Sequence, residues 1–187
     1  MKVHSLKVPY FICPIKENLD NKENFLNDFE KIGKSHKESG ISLYKTNYIN
    51  YQDYPKLTKM SWHNLYFNII DKYYNRILEY LNQRELERGT PWFHQYMKGD
   101  YYGWHSHGRH NYASVYYLEL PENKCKLQFY NPIDSTVMYV DVKEGDSIFF
   151  PSSIRHRSPE NPLNKRKTTI ACNFTVSDWS EANFRKS

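Results

Sequence analysis

At Pro91 the texture of the chain changes, and no other feature limits its possible folds as much. Downstream, short runs rich in Tyr, Val, Ile, Phe and Thr alternate with Gly, Pro and Asn breaks. The stretches that read as strands are "WFHQYM", "YYGWHSH", "YASVYYLEL", "CKLQFY", "VMYVDV", "DSIFF", "IRHRS" and "KTTIACNFTV". A short N-terminal strand within "SLKVPYFI" adds to them. Upstream the period is helical. "NKENFLNDFEKIGKSHKESG" puts Phe25, Leu26, Phe29 and Ile32 on one face, with Gly40 as a stop. "SWHNLYFNIIDKYYNRILEYLNQ" repeats Trp62, Leu65, Tyr66, Ile69, Tyr73, Ile77 and Tyr80 at threes and fours, a helix of about six turns. The segment from Arg84 to Gly89 ends it. Strands following helices predict a mainly β fold with α, a jelly-roll barrel braced by N-terminal helices. Neither half alone offers two apolar faces. The shift therefore separates layers of one domain over 1–187, with 1–90 as helical support and 91–178 as barrel core.

A chain of 187 residues can bury a core without staples. Aromatics at 17% and charged residues at 25% exclude a disordered chain. No apolar run approaches the roughly 18 residues of a membrane span, and the first residues lack the greasy core of a signal peptide. Cys13, Cys125 and Cys172 are scattered and odd in number, which reads as free thiols in a cytosolic protein. The net charge of +5 is spread among acids, so nucleic acid is not the favoured partner. An anionic small molecule held by one or two basic residues accounts for it equally well.

Three of the eight histidines fall within "YYGWHSHGRH". On a strand, His105 and His107 point to one side and can converge on a metal ion. A third ligand must come from elsewhere, and His156 in "FFPSSIRHRS" is the candidate. Alone the pair is weak, since about 0.3 such pairs arise by chance at this histidine content. The order of further features strengthens it: Gly145 and Asp146 turn into "SIFFP", His156 follows, then Arg166 and Thr168. Those two share a strand face, where a guanidinium and a hydroxyl can clamp a carboxylate.

From Tyr96 to Phe174 the sequence resembles the iron(II)- and 2-oxoglutarate-dependent oxygenases, most closely the small prolyl-hydroxylase-like branch found in marine bacteria and phages. "YMKGDYYGWHSH", "YASVYYLELP", "EGDSIFFPSSIRH" and "KRKTTIACNF" follow the order of that family's motifs. The resemblance implies a double-stranded β-helix (cupin-like) fold. It implies Fe(II) held by His105, His107 and His156, and 2-oxoglutarate as cosubstrate. Arg166 would pair with the distal carboxylate, Thr168 and Tyr117 would stand beside it, Tyr96 would lie near the cosubstrate, and Leu127 would form an apolar wall. The reaction implied is hydroxylation by O2 with release of succinate and CO2, in the cytoplasm (the host's, if phage-encoded). The substrate, a small molecule, peptide or nucleobase, is not identified.

Two departures stand out. His107 occupies a place usually held by a carboxylate, so the usual two-His, one-carboxylate set becomes three imidazoles. Ser114 stands where the family prefers Gly. The first departure keeps open a three-His cupin-like dioxygenase that does not use 2-oxoglutarate. A non-catalytic metal-binding barrel is a further alternative. Elsewhere His4, His36 and His63 read as surface or partly buried residues, His94 and His110 as possible neighbours of the site, and Trp104 as core packing on the opposite strand face.

Overall fold

The computed structural model describes residues 9–32, 44–45, 47–48 and 61–177. In chain order these form β1 (Phe11–Pro14), α1 (Asn18–Ile32), β2 (Tyr44–Lys45), β3 (Asn47–Tyr48), α2 (Ser61–Leu81), β4 (Glu85–Arg88), β5 (Trp92–Tyr96) and β6 (Tyr101–His105). They continue as β7 (Tyr112–Glu119), β8 (Gln128–Asn131), β9 (Thr136–Tyr139), β10 (Asp146–Pro151), β11 (His156–Ser158) and β12 (Lys167–Ser177). The strands pair antiparallel in two sheets. The larger runs β1-β10-β7-β12-β5-β3, with β4 also beside β12, and the smaller runs β2-β6-β11-β8-β9. The fold is the helix-braced jelly roll that the strand pattern predicts.

Alternation along the central strands splits the core in two. One side chain set, with Phe93, Tyr116, Phe149, Ile170, Cys172 and Phe174, meets the helices. Phe29 of α1 stacks on Phe93 at 3.8 Å, and Trp62 of α2 meets Phe29 edge-on at 5.2 Å. The other set, including Tyr117, Leu127, Phe129, Ile148 and Phe150, fills the space between the sheets. Each fully buried aromatic of this kind contributes about 1.5–3 kcal/mol through removal of apolar surface from water. The helices therefore close one face of the large sheet, and the small sheet covers the other.

Phe25, Leu26 and Phe29 are buried as the first helical period predicts. Gly40, like most of the aromatic stretch after it, lies outside the described residues. The buried stripe of α2 drifts from the expected one. Tyr74 takes the core position, because its hydroxyl reaches Ser114 at 2.9 Å and Tyr66 at 2.8 Å. Tyr73 is only half-buried and bonds Glu17, while Tyr80 is 73% exposed. α2 ends at Leu81, where Asn82 adopts a positive φ of 52°. The next residues do more than terminate it, since Glu85–Arg88 adds a strand beside the C-terminal half of β12. Among the described residues, no helix is long and apolar enough to cross a membrane. Cys13, Cys125 and Cys172 are free thiols.

Candidate metal centre and its cavity

β6 and β11 are neighbours in the small sheet, and their register sets His105 directly opposite His156. His107 lies two residues past the end of β6, not on it. It is pinned there by Ser152, whose carbonyl accepts the His107 N–H at 2.9 Å and whose hydroxyl donates to the His107 carbonyl at 3.2 Å. The turn after β10 thus restores the convergence that a longer strand would have given. One ligand nitrogen from each of His105, His107 and His156 lies within 4.8 Å of the others, close enough to hold one ion.

Hydrogen bonds decide which nitrogens are available. His105 Nδ1 faces the Gly103 carbonyl at 2.8 Å, and His156 Nδ1 faces the Ile154 carbonyl at 2.7 Å. A carbonyl can only accept, so both Nδ1 atoms carry the proton and both Nε2 lone pairs are free to ligate. Burial, with the neighbouring imidazoles adding to it, lowers His107 to about 4 and His156 to about 3. Burial likewise lowers His105, opposed by its bond to the Gly103 carbonyl. All three are neutral at pH 7, the state that coordinates a metal. No carboxylate stands among the described residues that line this cavity. Three neutral nitrogen donors suit a divalent transition ion, ferrous iron among them, and leave it its full positive charge.

The cavity that the triad faces has a volume of about 180 Å³, below the roughly 300–1,000 Å³ of pockets for drug-sized ligands. Tyr96, Tyr117 and Leu127 form part of its wall. The Tyr117 hydroxyl accepts the Leu127 N–H at 3.0 Å, which leaves its own proton to be donated into the cavity. His94 also lines the cavity.

Arg166 and Thr168 do not enter it, which corrects the predicted carboxylate clamp. They do share a face, but it is the one turned towards the helices. Arg166 makes a two-pronged ion pair with Glu119, at 2.7 and 3.1 Å, and lies 3.7 Å from Glu30 of α1. Thr168 also bonds Glu119. The pairing of β7 and β12 shifts between Thr168 and Thr169, so Leu118 is bulged and Glu119 swings to that outer side.

The cation in the cavity is Lys167, one residue further on. It is 2% exposed, donates from Nζ to the Ser158 hydroxyl at 2.6 Å, and lies over the Tyr96 ring at 4.6 Å and the Tyr117 ring at 5.8 Å. Burial lowers it to about 7. The sequence carried a signal for it. Lys167, Thr169, Ala171 and Asn173 alternate with Ile170, Cys172 and Phe174, so the polar set must face away from the helix-side core. Trp104 differs from expectation too. It sits on the outer face of the small sheet, half-exposed, with the Arg157 guanidinium over its ring at 4.6 Å.

No protein-family model matches the sequence, and no curated protein matches it. Solved structures do. A Pseudomonas putida prolyl-4-hydroxylase superposes with a TM-score of 0.64 at 13% identity, over 91% of this chain and 94% of its own. A viral collagen prolyl hydroxylase from Paramecium bursaria Chlorella virus-1, solved as a 2-oxoglutarate complex, gives 0.57 at 16% identity over 90% and 96%. The non-heme α-ketoglutarate-dependent epimerase SnoN of nogalamycin biosynthesis gives 0.67 at 10% identity over 96% and 85%. The chain has the double-stranded β-helix fold of the 2-oxoglutarate and iron oxygenases.

Proposed function

We propose that this protein is an Fe(II)- and 2-oxoglutarate-dependent oxygenase that hydroxylates a substrate with release of succinate and CO2. The observation that carries the reading is a buried lysine ammonium and three neutral imidazoles facing one small cavity that, among the described residues, no carboxylate lines. A buried cation without an anionic partner is costly, and a dianionic cosubstrate would supply that partner. Similarity to solved 2-oxoglutarate enzymes of the same fold supports the assignment.

His105, His107 and His156 would hold the metal. Lys167, Ser158 and the Tyr117 hydroxyl would take the distal carboxylate of 2-oxoglutarate, with the Tyr96 ring covering the ammonium. Leu127 and Phe150 keep water from that end. The chemistry supplied by iron, 2-oxoglutarate and O2 when bound is oxidative decarboxylation, with one oxygen atom delivered to the substrate. The protein's own part is to keep the imidazoles neutral, the cosubstrate oriented and the cavity dry.

The absence of a carboxylate from the triad favours a second reading, a three-His dioxygenase that does not use 2-oxoglutarate. The position of Lys167 opposes it. Incubation with Fe(II), 2-oxoglutarate and ¹⁸O2 in a cell extract separates the two. Labelled succinate and an oxygenated product establish the first, and consumption of O2 without succinate establishes the second. The substrate is proposed to be a small molecule or peptide, with O2 as co-reactant and nucleic acid not favoured. A cytoplasmic location is likewise proposed, on the free thiols.

A further inference from the structure

Asn173 is left unused by that scheme. It is 9% exposed, and its side-chain Oδ1 is buried without a hydrogen-bond partner. Unpaired buried acceptors are rare, and each asks for a reason. Asn173 lines the metal cavity and also a second, outer cavity of about 510 Å³. Among the described residues His107 is the other one common to both, so the two spaces share a wall beside the metal site.

The backbone of Asn173 is held in place on both sides. Its backbone pairs with Ala113 on β7, and its carbonyl accepts the Gly89 N–H at 2.8 Å. Gly89 is packed so closely that an added Cβ would stand 2.8 Å from that same carbonyl oxygen. On the cavity face of β12, Lys167 and Asn173 stand six residues apart, or about 20 Å at strand rise. Lys167 marks the closed end and Asn173 the end that opens outward. Among the described residues, the outer cavity presents Glu87, Thr90, Ser106, Arg109 and His110, and no aliphatic, Phe, Tyr or Trp side chain. Glu87 and Arg109 are exposed charges of opposite sign.

We infer that the outer cavity receives the molecule to be oxidised, and that this molecule is a hydrophilic small compound giving an N–H or O–H to Asn173 Oδ1. The inference rests on the oxygenase reading and deepens it. Asn173 is the residue that selects polar over hydrocarbon substrates at the throat between the two cavities. An aliphatic or aromatic side chain would find neither apolar contact in the outer cavity nor a means to satisfy Oδ1.

The test uses the full chain loaded with Zn(II) and 2-oxoglutarate, which is redox-inert. Acetamide, glycinamide and glycerol are compared by saturation-transfer NMR with counterparts in which every N–H or O–H is methylated. The donor fragments are expected to bind. Asn173→Leu is expected to weaken them about tenfold or more, and Asn173→Asp, which keeps an acceptor, to retain them. Equal binding of methylated counterparts overturns the inference, as does unchanged binding to Asn173→Leu. The affinity for 2-oxoglutarate, measured by calorimetry, is expected to stay within about threefold in both variants. Failure of the wild-type protein to bind Zn(II) or 2-oxoglutarate would instead remove the oxygenase reading beneath it.

Discussion

Replacing Lys167 by Met should make the metal-free protein more stable while destroying its hold on 2-oxoglutarate. Burial lowers this lysine from 10.5 to about 7. At about 1.4 kcal/mol per pH unit, that is a penalty of order 5 kcal/mol on the charged form, an upper bound. The folded value lies below the unfolded one. Below pH 7 the ammonium is present in both states and the whole penalty is felt. Between about 7 and 10.5 the folded protein sheds a proton that the unfolded chain keeps, so stability rises with pH. Above that range the penalty is gone. Met fills a similar volume, though it leaves the Ser158 hydroxyl without its present donor, a loss of about 1 kcal/mol. A net gain of about 3 kcal/mol at pH 6 would raise Tm by about 6–12 °C in a chain of this length. The gain should shrink towards zero by pH 10. Calorimetry of the metal-free wild type and Lys167→Met at both pH values reads it directly. Titration of 2-oxoglutarate into the metal-loaded proteins should show at least about a 100-fold loss of affinity, the cost of burying a carboxylate unpaired. An unchanged Tm at pH 6, or an unchanged affinity, would refute the assignment of this lysine as the buried anion-binding cation.

Arg166→Ala should leave 2-oxoglutarate affinity within about threefold of wild type, since the guanidinium is committed to Glu119. It should cost about 1–2 kcal/mol of stability, read by urea denaturation, for a partly exposed two-pronged pair. His156→Ala should lower Co(II) affinity at least about 100-fold by calorimetry, and extinguish the visible spectrum of the Co(II) protein. The metal-free protein should lose stability as pH falls from 6.5 towards 4. His107 and His156, held at about 4 and 3, stay neutral in the fold while the unfolded chain takes up protons. Thermal melts from pH 7 to pH 4 should show this decline, and it should be shallower when both histidines are replaced by Ala.

The sequence by itself determined the layers and pointed to the three histidines. Period-two and period-3.6 patterns survive in the fold because each strand and helix must bury one apolar face, and Phe25, Phe29, Ile170 and Phe174 do so on one common side. His105 and His156 were legible because metal ligation demands residue types that few other environments ask for. What sequence could not supply was registration across distance. His107 converges with its partners through Ser152, 45 positions away. The bulge at Leu118 turned Glu119 to the helix side of the large sheet, where it holds Arg166 in an ion pair outside the cavity, while Lys167 lies within. The same tertiary packing brought Asn173 to the wall shared by two cavities with its oxygen unpaired. One residue of register inverts every side chain on a strand, and only the neighbouring strands and helices say which way it falls.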